Sequence, residues 1–172
     1  MGQIQSASSA ISLMTAVNNS EMKISSNPVE TLVAFSIGSG IGIAVHDPVC
    51  GIGGMLSFLL PDSSRANGIN PARVPFMFAD TGIPTFLDEL YANNARCDRL
   101  KVVIAGGAHI LDQYGAFNIG QKNIAALKAS LDTYNLRIYH ENTGGTNSRT
   151  LSLEIGSGRS SIKIFGEGEE KV

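Results

Sequence analysis

This 172-residue chain has two cysteines and three histidines, the side chains that most readily act as a nucleophile and a base near neutral pH. A thiol and an imidazole come closest in the sequence at Cys50 and His46, which are four positions apart. Between them lies Asp47-Pro48, and such a dipeptide favours a turn. We therefore interpret Cys50 as a small packing residue and His46 as a polar group of that turn.

The remaining motifs do not predict a metal or cofactor site. Cys97 stands alone, is interpreted as a partly buried thiol, and forms no C-x-x-C motif with Cys50. Neither cysteine has a histidine at metal-ligand spacing, so no zinc site is expected. The segment Gly38-Ser39-Gly40-Ile41-Gly42 resembles a dinucleotide loop, but Ile43 breaks the motif and a strand follows where a helix is required. We expect no cofactor and no metal.

Composition predicts a single soluble domain of the intracellular type. Hydrophobic residues make up 43% of the chain and charged residues 16%, which is enough apolar content for a core. With 13 basic and 15 acidic residues the net charge is −2, so no nucleic-acid partner is expected. No apolar run is long enough to cross a membrane, and we expect a cytoplasmic protein without a membrane partner.

Hydrophobic periodicity and turn residues predict seven strands and two helices. The predicted strands are 30–37, 41–45, 53–60, 100–105, 136–140, 150–155 and 161–165, and the predicted helices are 80–94 and 119–134. Asp80-Thr81 is the predicted cap of the first helix, and Asn118 of the second. The pattern predicts an α+β layered sandwich of mixed, mostly antiparallel strands with the two helices packed outside.

The two ends of the chain differ from its centre. Residues 1–27 are rich in Ser, Asn and Ala, and we expect a loosely ordered arm with one short strand around 11–17. Residues 28–166 form the predicted domain. Residues 167–172 are expected to be a frayed acidic tail.

The most informative stretch is a predicted hairpin between Ala34 and Pro61. A turn centred between positions 48 and 49 pairs Gly40 with Ser57, about 5 Å apart by cross-strand geometry. One face of this hairpin carries large apolar residues, and the other is nearly bare. A nucleophile and its base need such closeness, but these two positions carry neither.

Six segments of the chain, in the same order, resemble segments of the CheD family of chemoreceptor glutamine deamidases. Residues 34–40 are similar to its Thr-Leu-Gly-Leu-Gly-Ser-Cys segment, and residues 47–48 with 53–61 to its Asp-Pro turn and Gly-Gly-Met-Ala-His-x-x-Leu-Pro strand. The other similar segments are Phe78-Ala79-Asp80, Gly106-Gly107-Ala108, 118–123, and Thr143-Gly144-Gly145 with Arg149. The resemblance covers about residues 30–165.

This resemblance implies a chemistry that the chain has lost. In the family a Cys thiolate attacks the side-chain amide of a receptor glutamine, ammonia leaves, a His is the base and a Thr orients it. These positions fall on Gly40, Ser57 and Ala34 respectively. Glycine offers no nucleophile, and a serine hydroxyl has no useful basicity near neutral pH. The resemblance therefore implies a catalytically impaired CheD-like protein that binds chemoreceptor cytoplasmic domains or a CheC-type phosphatase.

Relocated residues could restore amidohydrolase or esterase activity, with Ser39 as nucleophile and His109 as base. His109 follows the turn at residues 106–108 and could approach the same site. Cys50 and His46 are expected roughly 20 Å away, at the other end of the hairpin. We interpret Ser36, Ser39 and Ser57 as polar lining, and His109 and His140 as surface histidines. A structural domain with an unrelated role is a third possibility.

Overall fold

The computed structural model describes residues 13–110 and 117–172. These residues form ten strands and two α-helices. In chain order the elements are β1 (Leu13–Ala16), β2 (Glu21–Ser25), β3 (Glu30–Ile37), β4 (Ile41–Asp47), β5 (Ile52–Phe58), α1 (Ala79–Ala92), β6 (Lys101–Gly106), α2 (Ile119–Thr133), β7 (Ile138–Thr143), β8 (Arg149–Glu154), β9 (Ser160–Ile164) and β10 (Gly168–Lys171).

The strands form two five-stranded mixed sheets. The first sheet has the order β1-β3-β8-β9-β10, and the second has the order β2-β5-β4-β6-β7. Only the pairs β1–β3 and β6–β7 are parallel among the described strands. Antiparallel neighbours can follow each other through short turns, whereas β6 and β7 are joined through α2, as a parallel pair requires.

Two apolar clusters hold three layers together. The first cluster packs α1 and α2 onto one face of the second sheet and includes Phe58, Phe86 and Leu127. The second cluster lies between the two sheets and includes Leu32 and Leu151. The structure confirms the predicted α+β layered sandwich, with both helices on the outside of one sheet. Neither of these helices is long and apolar enough to cross a membrane.

The hairpin β4–β5 has a register two residues away from the predicted one. Its ladder runs from Ile41 opposite Phe58 to Asp47 opposite Ile52. The turn therefore spans residues 48–51, with Gly51 at φ 68°, a conformation that favours glycine. A shift of two keeps the facing of every side chain, so the predicted apolar face is correct while the predicted partners are wrong.

The face of this hairpin that was predicted to be bare is covered by the first sheet. A Cβ atom on Gly42 would lie 2.6 Å from Ile37 Cδ1, and one on Gly53 would lie 2.8 Å from Ile155 Cδ1. Both distances are far below van der Waals contact. The glycines therefore allow the two sheets to approach closely.

Both ends of the described chain form strands, where the sequence predicted a loosely ordered arm and a frayed tail. Residues 13–25 carry β1 and β2, which join different sheets, and β10 pairs with β9. The earlier part of the predicted arm lies outside the described residues. Glu30 accepts hydrogen bonds from Thr15 and Ser25, so one carboxylate of β3 holds both N-terminal strands.

The first helix is stabilised differently from the prediction. It begins at Ala79 after Phe78, without a side-chain capping bond. Asp80, in the first turn, accepts hydrogen bonds from the amide nitrogen and hydroxyl of Ser63 at 3.0 and 2.8 Å. These hydrogen bonds attach the segment after β5 to the first turn of α1. In α2 the predicted cap, Asn118, occupies the N-cap position, also without a side-chain capping bond.

Candidate functional site

The loop of residues 38–40 joins β3 to β4 and carries the position of the family nucleophile. Gly38 O accepts a hydrogen bond from the backbone nitrogen of Ala108 at 2.9 Å, and Gly40 O accepts one from that of Gly107 at 2.8 Å. Ser39 O accepts a third, from Asn123 Nδ2 at 2.8 Å. The loop is thus held by the residues after β6 and by the first half of α2.

A cavity of about 550 Å³ opens beside this loop. Its described lining comes from the loop, the segment after β6 and the start of α2. The lining residues are Asn19, Ser36, Ile37, Gly38, Ser39, Gly40, Leu59, Ala108, His109, Ile110, Phe117, Ile119 and Gly120. Ile37 and Ala108 are buried, whereas Ser36, Ser39 and Asn19 are exposed. The cavity therefore has an apolar floor and a polar rim.

Only one of the three family catalytic positions lines this cavity. Gly40 is part of the lining, but Ser57 and Ala34 are not among the described lining residues. Ser57 is 2% exposed and lies opposite Gly42, while Ala34 is 1% exposed within the core between the sheets. The predicted pairing of Gly40 with Ser57 is wrong, because the turn is centred between residues 49 and 50, one position later than predicted.

The backbone leaves no room for a side chain at position 40. A Cβ atom on Gly40 would lie 2.6 Å from the carbonyl oxygen of Phe58 and 3.3 Å from Leu59 Cδ2. Because the first contact is with backbone, a flexible side chain cannot relieve it. This chain has adopted a strand spacing that fits glycine.

Ser39 and His109 line the same cavity, as the alternative hypothesis requires. No hydrogen bond joins Ser39 Oγ to the imidazole, although both residues are among those described. The described lining also holds no carboxylate that could orient the imidazole. His109 is anchored through its backbone nitrogen, which donates to Gly145 O at 2.8 Å.

The other candidate residues lie away from the cavity. His46 is buried in β4 and not in the turn, and its Nε2 lies 2.9 Å from Ile155 O. Cys50 is an exposed residue of the turn, and Cys97 is exposed and not partly buried. Cys97 Sγ donates to Tyr134 O at 3.2 Å. His140 Nε2 lies 3.1 Å from Glu170 Oε2, which joins β7 to β10.

The turn after β7 is hydrogen-bonded to the end of β6 and to His109, which lines the cavity. Gly144 N donates to Gly106 O at 2.9 Å, so this turn is bound to the end of β6. Arg149 is 6% exposed and donates to Asn142 Oδ1 and Asn147 O, which fixes the turn's two sides. Burial lowers the pKa of the Arg149 guanidinium. Through these hydrogen bonds the guanidinium stabilises the turn, and Arg149 is not among the described lining residues.

Asn123 is a site residue that the sequence analysis interpreted only as part of a helix start. Its side chain is fully buried, and Nδ2 donates to both Ser39 O and Leu59 O at 2.8 Å. One carboxamide thus ties the loop before β4 to the residue after β5. Its Oδ1 is buried without a hydrogen-bond partner in the described part of the chain. A buried polar residue on an otherwise apolar helix face was the available signal.

We predict that Asn123→Ala lowers the free energy of unfolding by about 2 kcal/mol, since two partly buried carbonyls lose the donor that Asn123 supplies. Urea unfolding would measure this. The matched control is Asn93→Ala, because Asn93 is exposed and donates one side-chain bond, to Glu89 O. We expect that variant to lose about 0.5 kcal/mol or less. Equal losses in the two variants would contradict the role assigned to Asn123.

The described residues do not form a metal site or a dinucleotide-binding loop. In the part of the chain that the structure describes, no group of three or more His, Cys, Asp or Glu residues could hold a metal ion. Strand β4 begins directly after Gly40, so the glycine-rich segment does not open a helix. That arrangement does not fit a dinucleotide-binding loop.

Comparison with known proteins identifies the family. Residues 59–164 match the family model described as CheD chemotactic sensory transduction. A probable chemoreceptor glutamine deamidase CheD of Solibacter usitatus is 40% identical over 159 residues, covering 91% of this chain and 92% of that protein. The probable chemoreceptor glutamine deamidase CheD 1 of Syntrophus aciditrophicus is 40% identical over 151 residues, covering 87% and 93%.

A third relative is the chemoreceptor glutamine deamidase CheD of Thermotoga maritima, which is 32% identical over 150 residues, covering 87% of this chain and 91% of that protein. The matched residues 59–164 contain both helices, and each of the three relatives covers 87% or more of this chain. The resemblance stated from the six sequence segments is confirmed. The chain belongs to the CheD family of chemotactic sensory transduction proteins.

Proposed function

We propose that this chain is a CheD-like chemotaxis protein that binds its partners without deamidating them. The observation that supports this most strongly is the lining of the cavity at the family's nucleophile position. That position is Gly40, and no cysteine is among the described lining residues. The positions of the base and the orienting residue, Ser57 and Ala34, are buried between the sheets.

The chemistry of the family explains why the residue types at these three positions decide the activity. Amide hydrolysis through a covalent intermediate requires a nucleophile whose proton is removed by a nearby base. Glycine has no atom that could form the thioester, and Ser57 could not serve as a base even if it reached the cavity. The fold remains complete, so a partner-binding surface is retained in this proposal while turnover is lost.

The partner is proposed from the family. The relatives are named chemoreceptor glutamine deamidases, and a chemoreceptor cytoplasmic domain is therefore the first candidate partner. A CheC-type phosphatase or a sister deamidase is the second. The chain would act in the cytoplasm, as one domain over residues 28–166 with its terminal segments joined to the sheets.

A pull-down from cells with the full chain as bait tests this proposal. We expect chemoreceptors or a CheC-type protein to be retained, because relatives named chemoreceptor glutamine deamidases cover most of this chain. An Ile110→Glu variant, with a charge at the cavity mouth, is expected to retain them less well. Recovery of no chemotaxis protein would contradict the proposal.

The second candidate function is an amidohydrolase that uses Ser39 and His109. It is favoured by one observation, namely that both residues line the cavity. If it is correct, ammonia is released from a receptor fragment and the release is abolished by Ser39→Ala. Because Ser39 is exposed on the rim, this substitution should leave the fold intact. We expect no release from either protein.

A further inference from the structure

We propose that Asn67 is a site of self-modification, at which the backbone nitrogen of Gly68 attacks the side-chain amide and expels ammonia. The products are aspartate and isoaspartate at position 67. The reaction needs no partner and no group of the cavity, so it is independent of the proposed function. It depends on the residue types, the exposure and the backbone conformation of one turn in the loop between β5 and α1.

The first observation is the dipeptide itself. Of the asparagines in the sequence, only Asn67 is followed by a glycine. An asparagine side chain can close a five-membered imide with the backbone nitrogen of the next residue, but a side chain on that residue hinders the approach. Gly68 has no Cβ atom and leaves this path open.

The second observation is the turn that the dipeptide forms. Ile69 N donates to Ala66 O at 2.6 Å, so Asn67 and Gly68 are the two central residues of a β-turn. Gly68 has a φ of 82°, as the third residue of a type II turn requires. The turn's hydrogen bond uses the nitrogen of Ile69. The nitrogen of Gly68 is therefore left outside it.

The third observation is that neither reacting group is held by its surroundings. Asn67 and Gly68 are both exposed, and a Cβ atom on Gly68 would meet nothing within 4 Å. In the described part of the chain, neither the Asn67 carboxamide nor the Gly68 nitrogen makes a hydrogen bond. The carboxamide can therefore rotate towards the nitrogen without losing a partner. Because the two groups belong to adjacent residues, the attack is intramolecular, which favours it strongly.

The reaction balances with water as its only co-reactant. Hydroxide removes the proton of the Gly68 nitrogen, which then forms a bond to Asn67 Cγ. The bond from Cγ to the side-chain nitrogen breaks, and this nitrogen takes a proton from water and leaves as ammonia. Water then adds to one of the two carbonyls of the imide and opens the ring. One opening gives aspartate, and the other gives isoaspartate.

The modification changes both the charge and the backbone of the loop. Either product adds a negative charge, and isoaspartate also lengthens the main chain by one carbon. Asn67 releases ammonia once per chain, whereas an enzyme acting on a receptor would release it repeatedly. Ammonia released by the chain alone is therefore stoichiometric under this proposal.

Peptide mapping by mass spectrometry tests the proposal with the full chain incubated without any partner. Trypsin releases residues 66–73 as one peptide. We expect this peptide to gain the mass difference between asparagine and aspartate before any other peptide does. The gain should be faster in alkaline than in mildly acidic buffer, because hydroxide starts the reaction. Fragmentation should locate the change at Asn67 and find isoaspartate beside aspartate.

Asn70 is the matched control, since it is exposed in the same loop and lies in the same tryptic peptide. It precedes Pro71, whose nitrogen carries no proton to lose. We expect Asn67→Gln to lose the release of ammonia, because a glutamine must close a larger ring. Asn70→Gln should release ammonia as the unchanged chain does. Thermal unfolding would verify that both variants are folded.

The synthetic peptide of residues 66–73 sets the length of the incubation, which continues until this peptide is converted. If the chain then shows no change at Asn67, the folded turn protects the site and the proposal is wrong. Conversion to aspartate without isoaspartate would indicate direct hydrolysis and contradict the attack by Gly68. Equal conversion at Asn70, or release that persists in Asn67→Gln, would also overturn the proposal.

Discussion

The chain is expected to release ammonia from a chemoreceptor fragment on the order of a millionfold more slowly than a relative that carries the family's cysteine and histidine. The reason is that Gly40 supplies no nucleophile and Ser57 supplies no base. Removal of either such residue from a hydrolase is already enough to cause a loss of this size. A coupled ammonia assay at equal protein and receptor concentrations would measure the ratio.

Replacing the lost groups is expected not to restore this activity. In a Gly40→Cys/Ser57→His variant, the new Cβ at position 40 would lie 2.6 Å from Phe58 O, so the strand ends must separate. The imidazole at position 57 would enter the region where Ile37 packs over Gly42. Misplacement by about 1 Å can reduce a rate by about a hundredfold, and we expect at least that deficit to remain.

One result with the Gly40→Cys/Ser57→His variant would contradict this expectation. If ammonia release rose to within about tenfold of the active relative, only the reactive atoms would be missing, and the strand ends would have to move apart readily. Ser57→His alone serves as a control for background hydrolysis. Measuring urea unfolding of each variant would separate a poorly placed nucleophile from a destabilised fold.

The second large effect is expected at Asp47, whose side chain is fully buried at the end of β4. Its Oδ2 accepts from Arg99 Nη2 at 2.7 Å, from Arg99 Nε at 2.9 Å and from Arg96 N at 3.0 Å. Its Oδ1 accepts from Val49 N at 2.9 Å. One carboxylate therefore joins the β4–β5 turn to the segment between α1 and β6.

We expect Asp47→Ala to lower the free energy of unfolding by about 3 kcal/mol, because it removes the buried carboxylate of a partly buried ion pair and leaves turn amides without an acceptor. Thermal unfolding should shift down by roughly 6–12 °C for a domain of this size. Asp98→Ala is the control, since Asp98 forms an exposed ion pair with Arg96 at 3.2 Å. That variant should change stability by at most about 0.5 kcal/mol. Equal effects would contradict the role of Asp47.

Because of the Asp47 carboxylate, the free energy of unfolding should depend on pH under acidic conditions. The hydrogen bonds from Arg99 and the turn amides outweigh the effect of burial and lower the pKa of Asp47 from 3.8 to about 2. Because the folded-state pKa is depressed, its stabilisation is present above pH 4 and is lost as the pH falls towards 2. The stabilisation lost over this pH range is on the order of 2 kcal/mol. Asp47→Asn should remove this part of the acid dependence.

The sequence allowed most of the architecture to be predicted. Strand β3 was predicted with its observed bounds, because a run of β-branched and apolar residues ends at a glycine turn. The second helix begins at the predicted residue, Ile119. These are local features. The alternation of side chains in β4 and β5 was also predicted correctly, since a register shift of two keeps every side chain on its face.

The details of the site could not be predicted in the same way. The position of the β4–β5 turn depends on Gly51 and on the bonds that Asp47 makes to the turn amides, and this position decided whether Gly40 faces Ser57. Whether the glycine-rich face is open or covered depends on the first sheet, and part of that cover comes from Leu151, Leu153 and Ile155, which are distant in sequence. The contact of Asn123 with Ser39 spans 84 positions. The local pattern could indicate that Asn123 is buried, but not that Ser39 is its partner.

The most direct test is to mix the chain with a stoichiometric amount of chemoreceptor fragment, isolate the complex by gel filtration and weigh the bound fragment by mass spectrometry. We predict that a complex forms and that the fragment keeps the mass of its unmodified sequence after prolonged incubation. A fragment that has gained the mass difference between a glutamine and a glutamate would contradict binding without turnover.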